Sequence, residues 1–234
     1  SNRCAMQTIV VFSGAGMSAE SGIKTFRDGD GLWENHRIED VATPEAWVRN
    51  KEMVLEFYNQ RRRQVIQAEP NRGHELVAQL EKHFRVLVIT QNIDDLHERA
   101  GSSDVLHLHG EIRLSRSCLD DEIYPVLGTE LVLGDLCPKG GQLRPHVVWF
   151  GEEVPMMTTA LQRAAEADVF LTIGSSLSVY PAAGLIHQSP IDSKQFLIDP
   201  NNQLDVPDRV SFINEKAEKG MEKFYELLNI PIAG

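Results

Sequence analysis

Short, nearly continuous apolar runs are the most regular feature of the sequence. The clearest four cover residues 8–12, 85–90, 169–173 and 195–198. Uniformly apolar runs of this length are typical of strands that are covered on both faces, as in a parallel sheet. Shorter apolar runs at 105–108 and 147–149 are candidates for further strands.

Between these runs, apolar residues recur at every third or fourth position, which predicts helices with one buried face. These helical patterns cover residues 74–83, 156–167, 182–187 and 217–228. Strands that alternate with helices predict an α/β fold, a Rossmann-type, doubly wound parallel sheet.

Two stretches interrupt this alternation. Residues 38–68 are strongly helical, with a start signal at Thr43-Pro44-Glu45 and a long helix over 51–67. Residues 114–142 are polar and rich in turns. We interpret both stretches as insertions that form a small domain beside the sheet. The predicted large domain comprises residues 1–26, 71–112 and 144–234, and the predicted small domain comprises residues 27–70 and 113–143.

Composition narrows the classes of function. The 234-residue chain has 23 Lys and Arg against 34 Asp and Glu, a net charge of -11. Such an acidic surface repels phosphate backbones, so we expect no nucleic acid as a partner. No apolar run approaches the roughly 20 residues that cross a bilayer, and the first residues open no signal-peptide core. We therefore expect no membrane partner and a cytoplasmic location. The scattered Cys4, Cys118 and Cys137 predict reduced thiols.

The first predicted strand runs into a glycine-rich turn, Gly14-Ala15-Gly16-Met17-Ser18-Ala19. This fits the G-x-G-x-x-G/A pattern, whose glycines let the backbone approach a pyrophosphate that free N–H groups and a helix N-terminus then bind. The alternative is a tight strand-to-helix turn without a ligand. The acidic residue that usually ends a second strand is missing, and the chain continues through Phe26 and Arg27. The Arg27 guanidinium suits a mobile loop that closes over a phosphorylated ligand, and a solvent-exposed loop is the alternative.

Polar residues follow the second predicted strand, at the edge where open α/β sheets bind ligands. In Gln91-Asn92-Ile93-Asp94 the amides can bond a carboxamide or ribose hydroxyls. The alternative is that Asn92 or Asp94 caps the next helix. Further on, His107 and His109 alternate, which would place both on one strand face. A neutral imidazole there can accept a proton near pH 7, although a structural histidine is the alternative.

Several motifs, in order and spanning nearly the whole chain, together resemble those of the sirtuin family. They are Gly14-Ala15-Gly16-Met17-Ser18 with Gly22-Ile23 and Phe26-Arg27; Thr90-Gln91-Asn92-Ile93-Asp94-Asp95-Leu96-His97 with Ala100-Gly101; His109-Gly110-Glu111; Arg144-Pro145-His146-Val147-Val148-Trp149-Phe150-Gly151-Glu152; and Gly174-Ser175-Ser176-Leu177. Sirtuins are NAD-dependent protein lysine deacylases. The resemblance implies that the large domain binds NAD, that the small one joins a helical insertion to a zinc ribbon, and that NAD meets acyl-lysine proteins or peptides in the cleft between them.

The resemblance also implies roles for individual residues. His109 would be the catalytic base, and Asn92 a second catalytic residue. The implied cofactor-binding residues are Gly14, Ala15, Gly16, Ser18, Ala19, Phe26, Arg27, Trp33, Gln91, Asn92, Ile93, Asp94, Gly174, Ser175, Ser176, Leu197, Asp199 and Ala217. The implied substrate-binding residues are Tyr58, Arg61, Val148, Phe150 and Gly151. Asp199 stands where relatives usually supply an Asn for the adenosine ribose.

The family's reaction begins when the acyl oxygen attacks the ribose carbon as nicotinamide leaves. His109 would then draw a proton from a ribose hydroxyl, which attacks the resulting imidate, and water yields free lysine and O-acyl-ADP-ribose. A mono-ADP-ribosyltransferase on the same scaffold and a non-catalytic NAD or ADP-ribose sensor are the alternatives. The presence of His109 argues against the sensor, and Tyr58 with Arg61 argues against the transferase.

Tyr58 and Arg61 lie three residues apart on one face of the long predicted helix. The pair resembles the Tyr-x-x-Arg signature of the sirtuin branch that acts on succinyl- and malonyl-lysine, and a guanidinium can bind a distal carboxylate bidentately. We therefore expect desuccinylation with some deacetylation. The alternative is a solvated basic helix face, which suits Arg62 and Arg63 better than Arg61.

The chain departs from the family at the expected zinc ribbon. Most sirtuins carry two Cys-x-x-Cys pairs, whereas here Asp121 follows Cys118 and Gly140 follows Cys137 at that spacing. A site that adds His107 and His109 to the two cysteines also lacks the close Cys-x-x-Cys spacing of strong zinc sites. Two thiolates cannot close a tetrahedral structural site, so zinc is doubtful. We predict that this loop is held by its own packing, with no metal ligands.

Overall fold

The computed structural model describes residues 6–24, 32–177 and 180–233. Its strands, in chain order, are β1 (Thr8–Ser13), β2 (Leu32–Trp33), β3 (His36–Arg37), β4 (Arg85–Thr90), β5 (Val105–His107), β6 (Gly110–Ser117), β7 (Ile123–Pro125), β8 (Leu143–Val147), β9 (Val169–Ile173), β10 (Lys194–Ile198) and β11 (Val210–Ile213). Its α-helices are α1 (Gly16–Ala19), α2 (Ile38–Val41), α3 (Pro44–Arg49), α4 (Lys51–Gln67), α5 (Arg72–Gln79), α6 (Leu96–Arg99), α7 (Met157–Ala164), α8 (Ala182–Gln188) and α9 (Ala217–Leu227).

The main sheet has six parallel strands in the order β11-β10-β9-β1-β4-β5. Strands that are not neighbours along the chain thus lie side by side, joined by crossover connections, as in a doubly wound Rossmann-type sheet. The predicted α/β fold class is therefore confirmed. The direction of strand addition reverses between β1 and β9, so the carboxyl ends of these two strands border a crevice of the kind in which such sheets bind ligands.

Strand β1 explains why the strand sequences are uniformly apolar. Ile9 and Val11 pack on one face of the sheet, in a core shared with α5 and α9. Val10 and Phe12 pack on the other face, in a core shared with α7 and α8. Because helices cover both faces, every position of the strand is buried.

A second, smaller assembly of α2, α3, α4 and a three-stranded antiparallel sheet has a core of its own. The sheet order is β7-β6-β8. The predicted helix start at Thr43 is confirmed, because its side chain accepts a hydrogen bond from the Ala46 N–H at 3.1 Å. That helix is short, and the long helix α4 begins again after Asn50, whose side chain caps it.

Within the smaller assembly, the strands differ from the prediction in two places. The strand expected at 147–149 lies instead at Leu143–Val147, where it pairs with β6. The polar stretch 114–142 contains the end of β6 and all of β7. Across the described ranges, none of the helices combines the length and the apolar character that crossing a membrane requires.

Candidate functional site

Two glycine turns interlock at the crevice between β1 and β9. The Gly14 N–H donates to the Ile173 carbonyl at 2.9 Å, and the Gly16 N–H donates to the Gly174 carbonyl at 3.1 Å. Gly174 has a φ of +67°, and a Cβ placed there would lie 2.5 Å from both Gly16 Cα and Met17 N. Only glycine therefore fits at this contact.

A cavity of about 660 Å³ opens at this edge of the sheet and extends to the smaller assembly. Many residues singled out from the sequence line it. They are Ala15, Trp33, Tyr58, Arg61, Gln91, Asn92, Ile93, Asp94, His109, Val148, Phe150, Gly151, Gly174, Ser175 and Ser176. The cavity is thus built from the loops that follow β1, β4 and β9, from the end of β8 and from α4. It brings the candidate base, the glycine turn and the Tyr58-Arg61 pair into one space.

The remaining candidates lie behind or beside this cavity. Leu197 is a core residue of β10, 1% exposed, and Ala217 is the buried first residue of α9. Asp199 is half-buried just after β10, where its Oδ1 accepts from the Asn201 N–H at 2.8 Å. Ala19 is exposed at the end of α1. Phe26 and Arg27 lie outside the described residues.

Sequence reasoning missed part of the cavity wall. The additional lining residues are Ile23, Lys24, Gln64, Val65, Val147, Trp149, Glu152, Val154, Met157, Tyr180 and Pro181. Trp149 and Glu152 belong to the sequence motif at 144–152, and both contact Arg144. The Arg144 guanidinium lies 3.4 Å from the centre of the Trp149 ring and bonds both Glu152 carboxylate oxygens at 3.2 Å. The periodicity of the sequence carries no signal for such a contact.

Asn92 and Asp94 are held by the turn that follows β1. The Asn92 Nδ2 donates to the Gly14 carbonyl at 2.9 Å, which joins the ends of β1 and β4. The Asp94 carboxylate accepts from the Ser18 hydroxyl at 2.8 Å and from the Leu96 N–H at 3.0 Å. Burial raises the pKa of Asp94, while these two hydrogen bonds oppose that shift. Asp94 therefore also holds the first residue of α6, although the N-cap position of that helix is Asp95.

His109 does not lie on a strand face with His107, as the alternation suggested. Strand β5 ends at His107, and His109 lies in the turn that precedes β6. Its Nδ1 is 3.2 Å from the Gln91 carbonyl, which can only accept, so Nδ1 carries the proton and Nε2 is the basic nitrogen. Burial lowers the pKa of His109. The ring is therefore neutral at pH 7.

His107 has the opposite electrostatic setting. Its Nδ1 is 2.8 Å from the Asn92 carbonyl, and its Nε2 is 2.7 Å from the Glu98 carboxylate. Burial alone would lower the pKa of His107, but the hydrogen bond and charge of Glu98, with the charge of Glu111, raise it overall. Since both ring nitrogens face acceptors, the arrangement favours the imidazolium form.

Tyr58 and Arg61 both lie in the cavity wall, on one side of α4. Tyr58 is 2% exposed, and burial raises its pKa well above the usual value. Arg61 stacks over the Phe57 ring at 4.8 Å, and burial lowers the pKa of its guanidinium. Its Nε and Nη1 are buried without a hydrogen-bond partner among the described residues. Among the described residues, Arg61 pairs with Glu34, whose carboxylate lies 3.7 Å from Nη2.

The alternative of a solvated basic helix face is wrong for Arg62. Its side chain is fully buried, and it donates from Nε to the Ile112 carbonyl at 2.8 Å and from Nη1 to the Thr129 carbonyl at 3.0 Å. Arg63 fits that alternative, because it lies at the surface and pairs with Glu56 and Glu130. Neighbouring arginines on one helix thus have different tasks, and Arg62 stabilises the fold.

The loop for which the resemblance implies a zinc ribbon is held by other contacts. The Cys137 sulfur accepts from the Ser117 hydroxyl at 3.2 Å and from the Gly141 N–H at 3.3 Å. The positions of the missing ligands, Asp121 and Gly140, are turn residues with φ of +60° and +87°. These residues do not fit a tetrahedral zinc site. Over the described ranges, the one group of three metal-ligating side chains is Glu98, His107 and Glu111, which includes no cysteine.

Comparison with known proteins agrees with this geometry. Residues 14–181 match the model of the Sir2 family. A protein of Helicobacter pylori named NAD-dependent protein deacylase is 50% identical over 218 residues, which cover 93% of this chain and 95% of that protein. A Bacteroides thetaiotaomicron protein of the same name is 49% identical over 231 residues, covering 95% and 98%.

A solved structure of a Sir2 homologue in complex with NAD superposes on the chain with a TM-score of 0.83 and 36% identity. The similarity covers 96% of this chain and 90% of the solved one. The sequence, the sheet order and the cavity therefore agree on one assignment: the chain belongs to the Sir2 family.

Proposed function

We propose that this protein uses NAD to remove succinyl and malonyl groups, and also acetyl groups, from lysine side chains of proteins. The products are free lysine, nicotinamide and O-acyl-ADP-ribose. The chain belongs to the Sir2 family, and relatives that match nearly its whole length are named NAD-dependent protein deacylase. The preference for acidic acyl groups depends on a single observation. Arg61 lines the cavity, and its Nε and Nη1 have no hydrogen-bond partner among the described residues.

The glycine turn and the β1–β9 crevice fit NAD. We propose that Gly14, Ala15 and Gly16 approach its pyrophosphate, because the turn has no bulky side chains in the way and lies at the start of α1. Ser18 supports the turn from behind through its bond to Asp94. Ser175 and Ser176 are suited to the adenosine side, and Asn92 and Asp94 to the nicotinamide side. NAD supplies the ribose carbon whose bond to nicotinamide is broken.

His109 is suited to act as the base of this reaction. The Gln91 carbonyl fixes the proton on Nδ1, so Nε2 of the neutral ring is ready to take a proton from a ribose hydroxyl. The peptide of His109 is also tied to the substrate side, because the Val148 N–H donates to the His109 carbonyl at 2.8 Å. Val148, Phe150 and Gly151 then form the edge along which an acyl-lysine peptide would lie.

Arg61 is suited to bind the distal carboxylate of a succinyl or malonyl chain. Buried guanidinium N–H groups without partners are costly. A carboxylate binds a guanidinium bidentately through Nη2 together with either Nε or Nη1, so it satisfies at least one of the two partnerless nitrogens of Arg61. Tyr58, one turn away on α4, adds a hydroxyl to the same wall. An acetyl group has no distal carboxylate to accept from these donors, so they do not strengthen its binding.

Mass spectrometry of acetyl- and succinyl-lysine peptides of identical sequence, with and without NAD, tests the proposal. We expect NAD-dependent loss of both acyl groups and transfer of the acyl mass to ADP-ribose. His109→Tyr should abolish both reactions. Arg61→Met should depress desuccinylation about 10-fold to 100-fold, the worth of one charged hydrogen-bonded contact, and leave deacetylation within a few-fold.

Other outcomes would refute parts of the proposal. Equal losses of both activities in Arg61→Met would remove Arg61 from acyl recognition. ADP-ribose attached to the peptide, with the acyl group retained, would identify a transferase, and binding of NAD without turnover would identify a sensor.

The division of the chain into two domains is also part of this proposal. The separate core around Trp47, Phe57 and Ile112 supports a small domain that packs beside the sheet domain. Acyl-lysine proteins as partners follow from the family, whereas a cytoplasmic location and the exclusion of nucleic acid and membranes stay expectations from the sequence.

A further inference from the structure

Within the part of the chain that the structure describes, Arg61 has one ionic partner, the carboxylate of Glu34. Their Nη2 and Oε2 atoms are 3.7 Å apart, longer than a hydrogen bond. Both side chains are largely shielded, with 11% of Arg61 and 22% of Glu34 exposed. The pair is therefore loose in geometry but poorly screened by solvent, and Glu34 leaves two guanidinium nitrogens of Arg61 unpaired.

Glu34 is held in place by a small hairpin. Strands β2 and β3 pair antiparallel, and the two residues between them, Glu34 and Asn35, have φ of +49° and +64°. These angles match a type I′ turn, which favours Asn, Asp or Gly. The turn geometry therefore does not explain a glutamate at this position. The Glu34 carbonyl accepts from the His36 Nδ1 at 2.9 Å, so the backbone of the turn is fixed independently of the carboxylate.

The hairpin is docked on α4, the helix that carries Arg61. The Trp33 ring forms T-shaped contacts with Phe57 and Tyr58 at centroid distances of 5.0 and 6.1 Å, and His36 forms one with Phe57 at 5.2 Å. Aromatic contacts of this kind set the position of one element relative to the other. The packing that places Glu34 beside Arg61 therefore does not depend on the ion pair.

The charge of Glu34 has opposite consequences for two kinds of acyl chain. A neutral acetyl group that covers the cavity offers Arg61 no countercharge, and Glu34 then supplies the compensation that a buried guanidinium requires. A succinyl group brings its own carboxylate, which meets the negative charge of Glu34 beside the cation that both would share. Like charges at short distance repel in a poorly solvated site.

We infer that Glu34 is a specificity-determining residue, an internal carboxylate that pairs with Arg61 in place of the substrate's carboxylate and so keeps the enzyme active on neutral acyl-lysine at the expense of acidic acyl-lysine. Glu34 acts through Arg61 and is a positioning residue, with no part in the chemistry. The inference rests on the proposed function, because it requires that Arg61 face the acyl group.

Steady-state kinetics with succinyl- and acetyl-lysine peptides of one sequence, at saturating NAD, test this inference. Glu34→Gln keeps the shape of the side chain and removes its charge. We expect the KM for the succinyl peptide to fall about twofold to fivefold, the scale of one partly shielded ion pair, with kcat little changed. The ratio of kcat/KM for succinyl over acetyl peptide should rise by at least about twofold on the same scale.

Matched variants separate this effect from general changes in charge or folding. Glu39→Gln makes the same charge change on an exposed residue that pairs with Arg37, and it should leave the ratio unchanged. Glu34→Ala should shift the ratio in the same direction as Glu34→Gln. In an Arg61→Met background, Glu34→Gln should have no effect on the ratio, because the cation through which Glu34 acts is gone.

Each other result overturns the inference. Equal changes on both peptides, a ratio that falls, or the same shift in the Arg61→Met background would show that Glu34 does not act through Arg61. If Arg61→Met is selective for the succinyl peptide while Glu34→Gln changes nothing, only the role of Glu34 fails. If Arg61→Met affects both peptides equally, the proposed acyl preference fails, and the inference fails with it.

Discussion

At the scale of single residues, two histidines separated by one position have opposite charge preferences. The nitrogens Nδ1 of His107 and Nδ1 of His109 bond the neighbouring carbonyls of Asn92 and Gln91. His107 also faces Glu98 and favours the charged form, whereas His109 has no carboxylate partner within the described ranges and stays neutral. The two neighbouring carbonyls thus hold one ring that favours the charged form and one that is neutral.

The charge state of His109 predicts the acidic limit of activity. Because burial lowers the pKa of His109, the neutral ring persists below the ordinary histidine value of about 6.5 and is lost only as the pH falls through the lowered pKa. A profile of kcat/KM for acetyl peptide between about pH 5 and 8 should therefore fall on its acidic side with a midpoint below about 6.5. A midpoint at or above that value would contradict the assigned base.

Individual residues also mark the limit of what the sequence predicts. His109, Asn92 and Arg61, which the motifs single out, line one cavity, because each follows a strand end or lies on a long helix. Arg62 could not be predicted. Its burial depends on carbonyls at Ile112 and Thr129, 50 and 67 positions away, and helix periodicity carries no information about such partners.

At the scale of elements, the turns after β1 and β9 form the site by meeting each other. The sequence predicts both strands, but the contact between their turns appears only when the crossover order brings them side by side. The sequence does not predict strand β11. Val210–Ile213 is a four-residue edge strand with an exposed serine, and its apolar pattern is too short to distinguish it from a loop.

The contact between the turns predicts the effect of a single methyl group. Gly174→Ala should destabilise the protein by more than about 2 kcal/mol, because it combines a left-handed backbone with a Cβ that collides with backbone atoms. Urea unfolding measures this loss, and the KM for NAD should rise in parallel. Gly128→Ala is the matched control.

Gly128 has a φ of +78° and open space where a Cβ would lie, so its substitution should cost only the left-handed backbone, about 1 kcal/mol. If Gly128→Ala and Gly174→Ala lose equal stability, the collision with the β1 turn contributes nothing, and backbone conformation alone accounts for the requirement for glycine.

At the scale of the whole molecule, the cavity lies where two independently packed assemblies meet. The six-stranded sheet has a core on each face, and the small antiparallel sheet with α2 to α4 has a third. The alternation of strands and helices predicted the first assembly well. The second was predicted as a helical insertion and a turn-rich one, because antiparallel strands such as β7 are short and lie partly exposed.

The third core predicts that the small assembly folds without metal. Asn59 bonds both the N–H and the carbonyl of Leu131, and Arg62 adds a bond to the Thr129 carbonyl of the same loop. Elemental analysis of the purified protein should therefore find far less than one zinc per chain, and a chelator should leave the melting temperature unchanged. A zinc-finger protein treated in parallel is the positive control. About one tightly held zinc per chain, as a closed structural site gives, would refute the prediction.

The glycine pair at the sheet crossover has a consequence for how this protein can diverge. A side chain at Gly16 would strike Gly174 Cα at 2.6 Å, and one at Gly174 would strike Gly16 Cα at 2.5 Å. Each obstacle is main chain, which no substitution removes, so changing one position never makes room for change at the other. Neither position can therefore be substituted, alone or after a change at the other, and variants that keep the fold must keep glycine at both positions.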